Sequence, residues 1–157
     1  EKGPVIVTFY RGGWCPYCNL ELRTYERLYP EIAAAGAEVL AISPQTVKAS
    51  ADTALKNALS FPVLADLRAE AARAFGLAFE LPDELKALYT RFGHDLPAIN
   101  GTDEWVLPLP GTFVIAQTGE IILARAMVNY RQRLEPAEAL AAISRHPPAR
   151  GVMLKGS

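Results

Sequence analysis

Hydrophobic and polar positions follow two rhythms along this chain. Val5–Tyr10 is almost continuously apolar and β-prone, the pattern of a strand covered on both faces. Arg11-Gly12-Gly13 breaks it. Pro16 suits a first helical turn, where its missing N–H leaves nothing unpaired. From there Cys18, Leu22, Tyr25, Tyr29 and Ile32 recur at helical steps on one stripe, with Glu21, Arg23, Glu26 and Arg27 off it. Pro30 predicts a kink or split in this helix, and Gly36 its close.

The same logic predicts a second buried strand at Glu38–Ile42, ended by Ser43-Pro44, and an alanine-rich helix over Thr46–Leu59. A third strand is expected at Phe61–Ala65 and a helix at Leu67–Phe75, stopped by Gly76. Pro82-Asp83-Glu84 opens a helix that runs to Phe92 and closes at Gly93, with a loop through Asp103-Glu104 beyond it. Thr112–Ala116 and Ile121–Ala126 read as a hairpin about Gln117-Thr118-Gly119-Glu120, and Pro136–Arg145 as the last helix. The order is β-α-β-α-β-α-α, then β-β-α. Strands joined through helices favour parallel crossovers, whereas the late hairpin is antiparallel. The expectation is an α/β domain, a mixed sheet with helices on both faces, over residues 1–146, followed by a tail at 147–157. The chain enters a core strand almost at once, which suggests missing upstream residues and leaves a targeting segment open.

Composition narrows the classes. Of 157 residues, 50% are hydrophobic and 21% charged, as in ordinary globular domains. A net charge of −1 gives no footprint for nucleic acid or an anionic membrane surface, and no apolar run is long enough to cross a bilayer. Two cysteines do not make a secreted disulfide framework; their spacing suits a redox pair in a reducing compartment, hence the cytoplasm.

Those cysteines lie in Trp14-Cys15-Pro16-Tyr17-Cys18, directly after the first strand and its glycine turn. A helix N-terminus offers partial positive charge and unpaired N–H groups, which favour an anion. Such a setting lowers a cysteine pKa from roughly 8.5 to between about 3.5 and 7.5. The helical stripe places Cys18 toward the core and leaves Cys15, before the first turn, to meet solvent. The competing account is an inert bridge or a pair of buried thiols, although so short a loop gains little from chain entropy. Zinc is disfavoured because His94 and His146 lack ligand spacing to the cysteines.

Other residues carry paired alternatives. Trp14 either shields Cys15 and shapes a substrate groove or simply packs on the sheet. Tyr17 either donates a hydrogen bond near the thiols or is an exposed aromatic. Glu21 either assists proton transfer through water or, the stronger expectation, is a solvated helix carboxylate. Asp103, Glu104 and Trp105 either line a site or reflect loop polarity and anchoring. Tyr130-Arg131-Gln132-Arg133 either contacts a partner or is solvated surface.

Phe9-Tyr10-Arg11-Gly12-Gly13-Trp14-Cys15-Pro16-Tyr17-Cys18-Asn19-Leu20-Glu21-Leu22 resembles the thioredoxin-like superfamily. It is most similar to the peroxiredoxin-like branch of the alkyl hydroperoxide reductase/thiol-specific antioxidant family. The likeness extends through Ala41–Gln45, Phe61–Leu64, Arg73–Leu77 and Leu109–Ile115, covering roughly Val5 to Ala142. It implies a thioredoxin-like fold in which Cys15 attacks and Cys18 resolves. Trp14, Pro16, Tyr17, Leu109 and Pro110 would border the substrate, with Pro110 matching a proline usually cis in the family. The implied function is reduction of hydroperoxides, disulfides or both, with no metal or organic cofactor. An external dithiol or thioredoxin-type protein would be the reductant, and a homodimer is one open assembly. The alternative is a non-catalytic redox-sensing or binding module. The sequence departs from peroxiredoxins where a proline and threonine precede the attacking cysteine: it has Thr8 and Gly12. Pro110 and Gly111 stand where an arginine polarises peroxide, with Arg11 and Arg125 as candidate substitutes. Thr8 also stands near the position of the buried acid of thioredoxin, so the sequence shows no dedicated proton acceptor.

Overall fold

The computed structural model describes residues 3–147. β1 (Val5–Phe9) is the central strand, followed by α1 (Pro16–Ala34), β2 (Glu38–Ser43), α2 (Val47–Lys56) and β3 (Val63–Ala65). A 3₁₀ turn at Leu67–Ala69 leads into α3 (Glu70–Ala74), β4 (Ala78–Glu80), α4 (Asp83–Arg91) and α5 (Leu96–Asn100). The chain closes with β5 (Val106–Pro108), β6 (Gly111–Ile115), β7 (Ile121–Ala126) and α6 (Pro136–Arg145). Five strands form the main sheet in the order β3-β2-β1-β6-β7, and β4 and β5 make a separate pair. β1, β2 and β3 are parallel, whereas β6 and β7 run antiparallel, so the sheet is mixed as expected.

The continuous apolar character of β1 is explained by two layers of cover. Ile6 on one face joins Val39 and Val114 beneath Leu22, Tyr25 and Ile32 of α1 and Ala139 and Ile143 of α6. Val7 and Phe9 on the other join Phe113 beneath Ala69, Ala72 and Leu77. This is the α/β layering anticipated from the order of elements, a mixed sheet with helices on both faces, and it agrees with the thioredoxin-like fold that the resemblance implies. Among the described residues no helix is long and apolar enough to cross a membrane.

Several elements depart from the sequence expectation. Pro30 lies inside α1 without ending it, because the proline is exposed and the carbonyl it leaves unpaired belongs to a partly exposed turn. The helix expected at Leu67–Phe75 is split, since Arg68 and Ala69 adopt φ of 58° and 53°. Asp66 restarts it by accepting the Ala71 and Ala72 N–H groups at 2.8 and 2.9 Å. The segment read as loop after Gly93 holds α5 and β5, both too short for a periodic signal. They matter because Leu81, Leu96 and Leu107 make a small third core against which Trp14 and Tyr89 pack. The expected C-terminal tail beyond Pro147 lies outside the described residues.

Candidate active site

The first strand delivers its C-terminal end to the glycine turn, and Cys15 becomes the N-cap of α1 with extended backbone (φ −92°, ψ 115°). Pro16 occupies the first turn, as its fixed φ allows. The turn tolerates no side chain: a Cβ on Gly12 would collide with the Trp14 indole nitrogen, and one on Gly13 with the Thr53 hydroxyl. Asn19 ties the turn down, donating to the Gly13 carbonyl at 2.7 Å and accepting from Asn57, the C-cap of α2, at 2.9 Å.

The two thiols are unbridged and both covered, Cys15 at 2% exposure and Cys18 at 0%. The expectation that Cys15 meets solvent is therefore corrected. Trp14 packs on the core cluster that holds it, and the side chain is covered. Its surroundings are not hydrocarbon alone. The Cys18 thiol hydrogen-bonds to it, the Cys18 N–H lies close without making a full capping bond, and Arg11 and Arg133 add positive potential. The Cys18 hydrogen bond is the main cause that takes the Cys15 thiol down to about 6, against the opposing effect of burial. Cys18 moves the other way. Burial raises it well above the ordinary thiol range, and the hydrogen bond it donates to Cys15 raises it further. One thiolate beside one deep thiol is the arrangement that results.

Behind Cys18 lies a polar cluster that the sequence pattern did not reveal. Glu21, one turn further along α1, is buried at 7% exposure, which overturns its reading as a solvated carboxylate. Arg133, from the segment before α6, donates Nη1 to Glu21 Oε2 at 2.9 Å and Nη2 to Cys18 Sγ at 3.2 Å. Thr8 of β1 donates to Glu21 Oε1 at 3.3 Å and lies 3.4 Å from the Thr112 hydroxyl of β6. Burial pushes the Glu21 carboxyl up to about 7, with Arg133 pulling against it and Cys18 adding to the rise. A buried acid near the redox pair is thus present, supplied by α1 rather than by the strand where it was sought. Of the tract Tyr130–Arg133, expected as solvated surface, Arg131 and Gln132 are exposed, whereas Arg133 turns inward with its side chain only 11% exposed.

Arg11 is buried too. Its guanidinium hydrogen-bonds to the Tyr89 hydroxyl and lies over the rings of Tyr130 (4.4 Å), Trp14 (4.9 Å) and Tyr89 (5.5 Å). Trp14 also meets His94 at 4.8 Å, so it joins an aromatic group over the thiol turn as well as packing on the main core. Tyr17 is 41% exposed and meets Tyr130 edge-on at 5.8 Å. Arg125, the other candidate for peroxide polarisation, is exposed on β7. Glu104 pairs with Arg73 at 3.0 Å and Trp105 packs on the Leu81 core, so that loop serves anchoring.

Leu109 and Pro110 sit at the same sheet end as the thiols, since Gly111 pairs with Phe9. The peptide before Pro110 is trans, correcting the cis expectation. The Leu109 N–H is taken by the Leu77 carbonyl at 2.8 Å and the Pro110 carbonyl by the Met127 N–H at 2.9 Å. The backbone there is already engaged, continuing β5 into β6, so those two groups do not present a free edge to an extended substrate.

This sheet order, with a C-x-x-C pair at the N-terminus of α1, defines a thioredoxin-fold protein with paired thiols. The chain belongs to the AhpC/TSA family, whose profile matches residues 1–124. It is similar to the thiol-disulfide oxidoreductase ResA of Bacillus thuringiensis, at 25% identity over 139 residues, covering 85% of this chain and 61% of that protein. It is also similar to peroxiredoxin Bcp of Xanthomonas campestris, at 30% identity over 76 residues and 48% of each chain. The chain thus spans about three-fifths, and about half, of these relatives' lengths. Among solved structures, the peroxidoxin BcpB of Mycobacterium tuberculosis superposes with a TM-score of 0.71 at 22% identity, over 92% of this chain and 80% of that one.

Proposed function

We propose that this protein is a thiol-dependent oxidoreductase in which Cys15 attacks and Cys18 resolves, with disulfides as the favoured substrates. The observation that carries this is the division of the pair: Cys15 caps the N-terminus of α1, with its thiol drawn down to about 6, while Cys18 lies fully buried against the Arg133 guanidinium at 3.2 Å, with its thiol raised by burial. The Cys15 thiolate attacks one sulfur of a disulfide, forming a mixed disulfide and expelling the other sulfur as a thiolate. Cys18 then gives its proton to the Glu21 carboxylate and attacks the Cys15 sulfur. The internal disulfide forms and the second substrate thiolate leaves. The pair is oxidised by two electrons and the substrate reduced by two. An external dithiol or thioredoxin-type protein restores the pair, which fits a reducing compartment such as the cytoplasm.

Disulfide chemistry is favoured over peroxide chemistry by where the cations sit. Arg133 is committed to Cys18 and Glu21, and Arg11 to its aromatic rings, so neither guanidinium is free in front of Cys15. The peroxide reading rests on the peroxiredoxin relative; there Cys15 would become a sulfenic acid that Cys18 condenses, releasing water. Trp14, Pro16 and Tyr17 border the approach to Cys15 in either case. Mixing reduced protein with glutathione disulfide or hydrogen peroxide, then alkylating and weighing the products, separates the two. We expect the Cys15–Cys18 disulfide to form faster with the disulfide. A Cys15→Ser variant that consumes either oxidant as fast as the parent refutes the proposal.

A further inference from the structure

We infer that Arg133 is a catalytic residue of the resolving step: its guanidinium bridges the Cys18 sulfur and the Glu21 carboxylate and stabilises the Cys18 thiolate as it attacks the mixed disulfide. The inference rests on the function proposed above and deepens it. The geometry is specific. Nη2 reaches Cys18 Sγ at 3.2 Å, Nη1 reaches Glu21 Oε2 at 2.9 Å, and Nε is held by the Tyr130 carbonyl at 2.9 Å. Three donors of one planar fork are thereby fixed, with no freedom to follow a substrate. The side chain is 11% exposed and its partner carboxylate 6%, so the charges act through little water.

The sequence of events follows from which charges are present at each stage. In the reduced protein the Cys15 thiolate holds the Cys18 proton through their hydrogen bond. Arg133 then balances Cys15, Cys18 and Glu21 together. When Cys15 enters a mixed disulfide it loses its charge and its claim on that proton. Arg133 is left facing Cys18 and Glu21 alone, and its positive charge now favours ionisation of the second thiol. The other groups around this cluster are Thr8 of β1, Thr112 of β6, Tyr10 and Arg11 after β1 and Tyr25 of α1. Arg11 approaches Cys18 through its backbone N–H at 3.5 Å. Arg133 is thus the side-chain cation in contact with the resolving sulfur. It keeps Cys18 idle while Cys15 is charged only in the sense that it does not overcome the Cys15 thiolate; once that charge is spent, it drives resolution.

Stopped-flow reaction of the reduced protein with 5,5′-dithiobis(2-nitrobenzoate) resolves both steps. Attack by Cys15 releases one thionitrobenzoate anion and leaves the other half on Cys15; attack by Cys18 releases the second, with the Cys18 proton passing to Glu21 and then to buffer. Loss of a hydrogen bond to a charged group corresponds to about tenfold or more in rate. Arg133→Gln is therefore expected to slow the second release about tenfold or more and move its pH midpoint upward, while changing the first release by less than about threefold. Arg133→Lys, which restores the charge without the fork, is expected to fall between the two in midpoint. If the glutamine variant unfolds, Arg133→Met, which keeps the apolar stem and removes the charge, decides: an unchanged second phase overturns the inference. So does an equal slowing of both phases, or a glutamine variant with the parental pH profile. A parent protein that releases only one thionitrobenzoate would instead overturn the paired-thiol function itself.

Discussion

Replacing Cys18 with alanine removes the donor that does most to make Cys15 a thiolate. The Cys18 thiol hydrogen bond is the leading cause of the Cys15 midpoint near 6. A hydrogen bond to a charged group is worth about 1.5–3 kcal/mol net, and one pKa unit corresponds to about 1.4 kcal/mol. Cys18→Ala should therefore raise the Cys15 midpoint by about 1–2 units, to about 7–8. At pH 6 the thiolate fraction then falls from about one half to between about 1% and 10%, and alkylation by iodoacetamide slows roughly 5- to 50-fold. At pH 9 both proteins are mostly ionised and the difference vanishes or reverses slightly, because the more basic thiolate is the better nucleophile. Cys18→Ser keeps an O–H donor at the same position, so its midpoint should stay much closer to the parental one. The assay is the rate of iodoacetamide modification of Cys15 from pH 4 to 10, followed by mass. An alanine variant that still titrates near the parental midpoint refutes the reasoning, as does a serine variant that shifts as far as alanine.

Two further outcomes are expected. Tyr89 holds Arg11 and Trp14 over the thiol turn, so Tyr89→Ala should speed alkylation of Cys15 severalfold at a pH where the thiol is fully ionised; an unchanged rate would show that the roof opens elsewhere. Ala58 is exposed and adopts φ of 50° after α2, a conformation that strains a residue with a Cβ. Ala58→Gly should therefore stabilise the fold by about 0.5–1 kcal/mol, read as a melting temperature about 1–4 °C higher.

Local pattern carried much of the architecture. β1, α1, β2 and the late hairpin follow from apolar runs, helical spacing and turn residues close in sequence, because each element buries a face its own periodicity defines. α6 was legible to the residue, since Pro136 sits at a helix start with a capping box about it. The thiol pair was legible for the same reason: strand, glycine turn and helix start are contiguous.

The surroundings of that pair were not legible. Whether Glu21 is solvated depends on which side of α1 lies beneath α6 and the segment before it, and a helical stripe drawn through apolar residues cannot include a buried carboxylate. Arg133 stands 115 positions beyond Cys18, in a polar tract with no period, and becomes part of the site only when the chain returns to pack α6 on α1. Cys15 heads a helix, which in sequence implies access to water, yet Trp14 is held over the turn by Tyr89 and His94 from the α4–α5 region. Spacing along the chain reports which groups share an element, because backbone geometry is local. It is silent on charge and cover, because those depend on packing between segments distant in sequence, and burial at those contacts sets both the ionisation and the access of each sulfur.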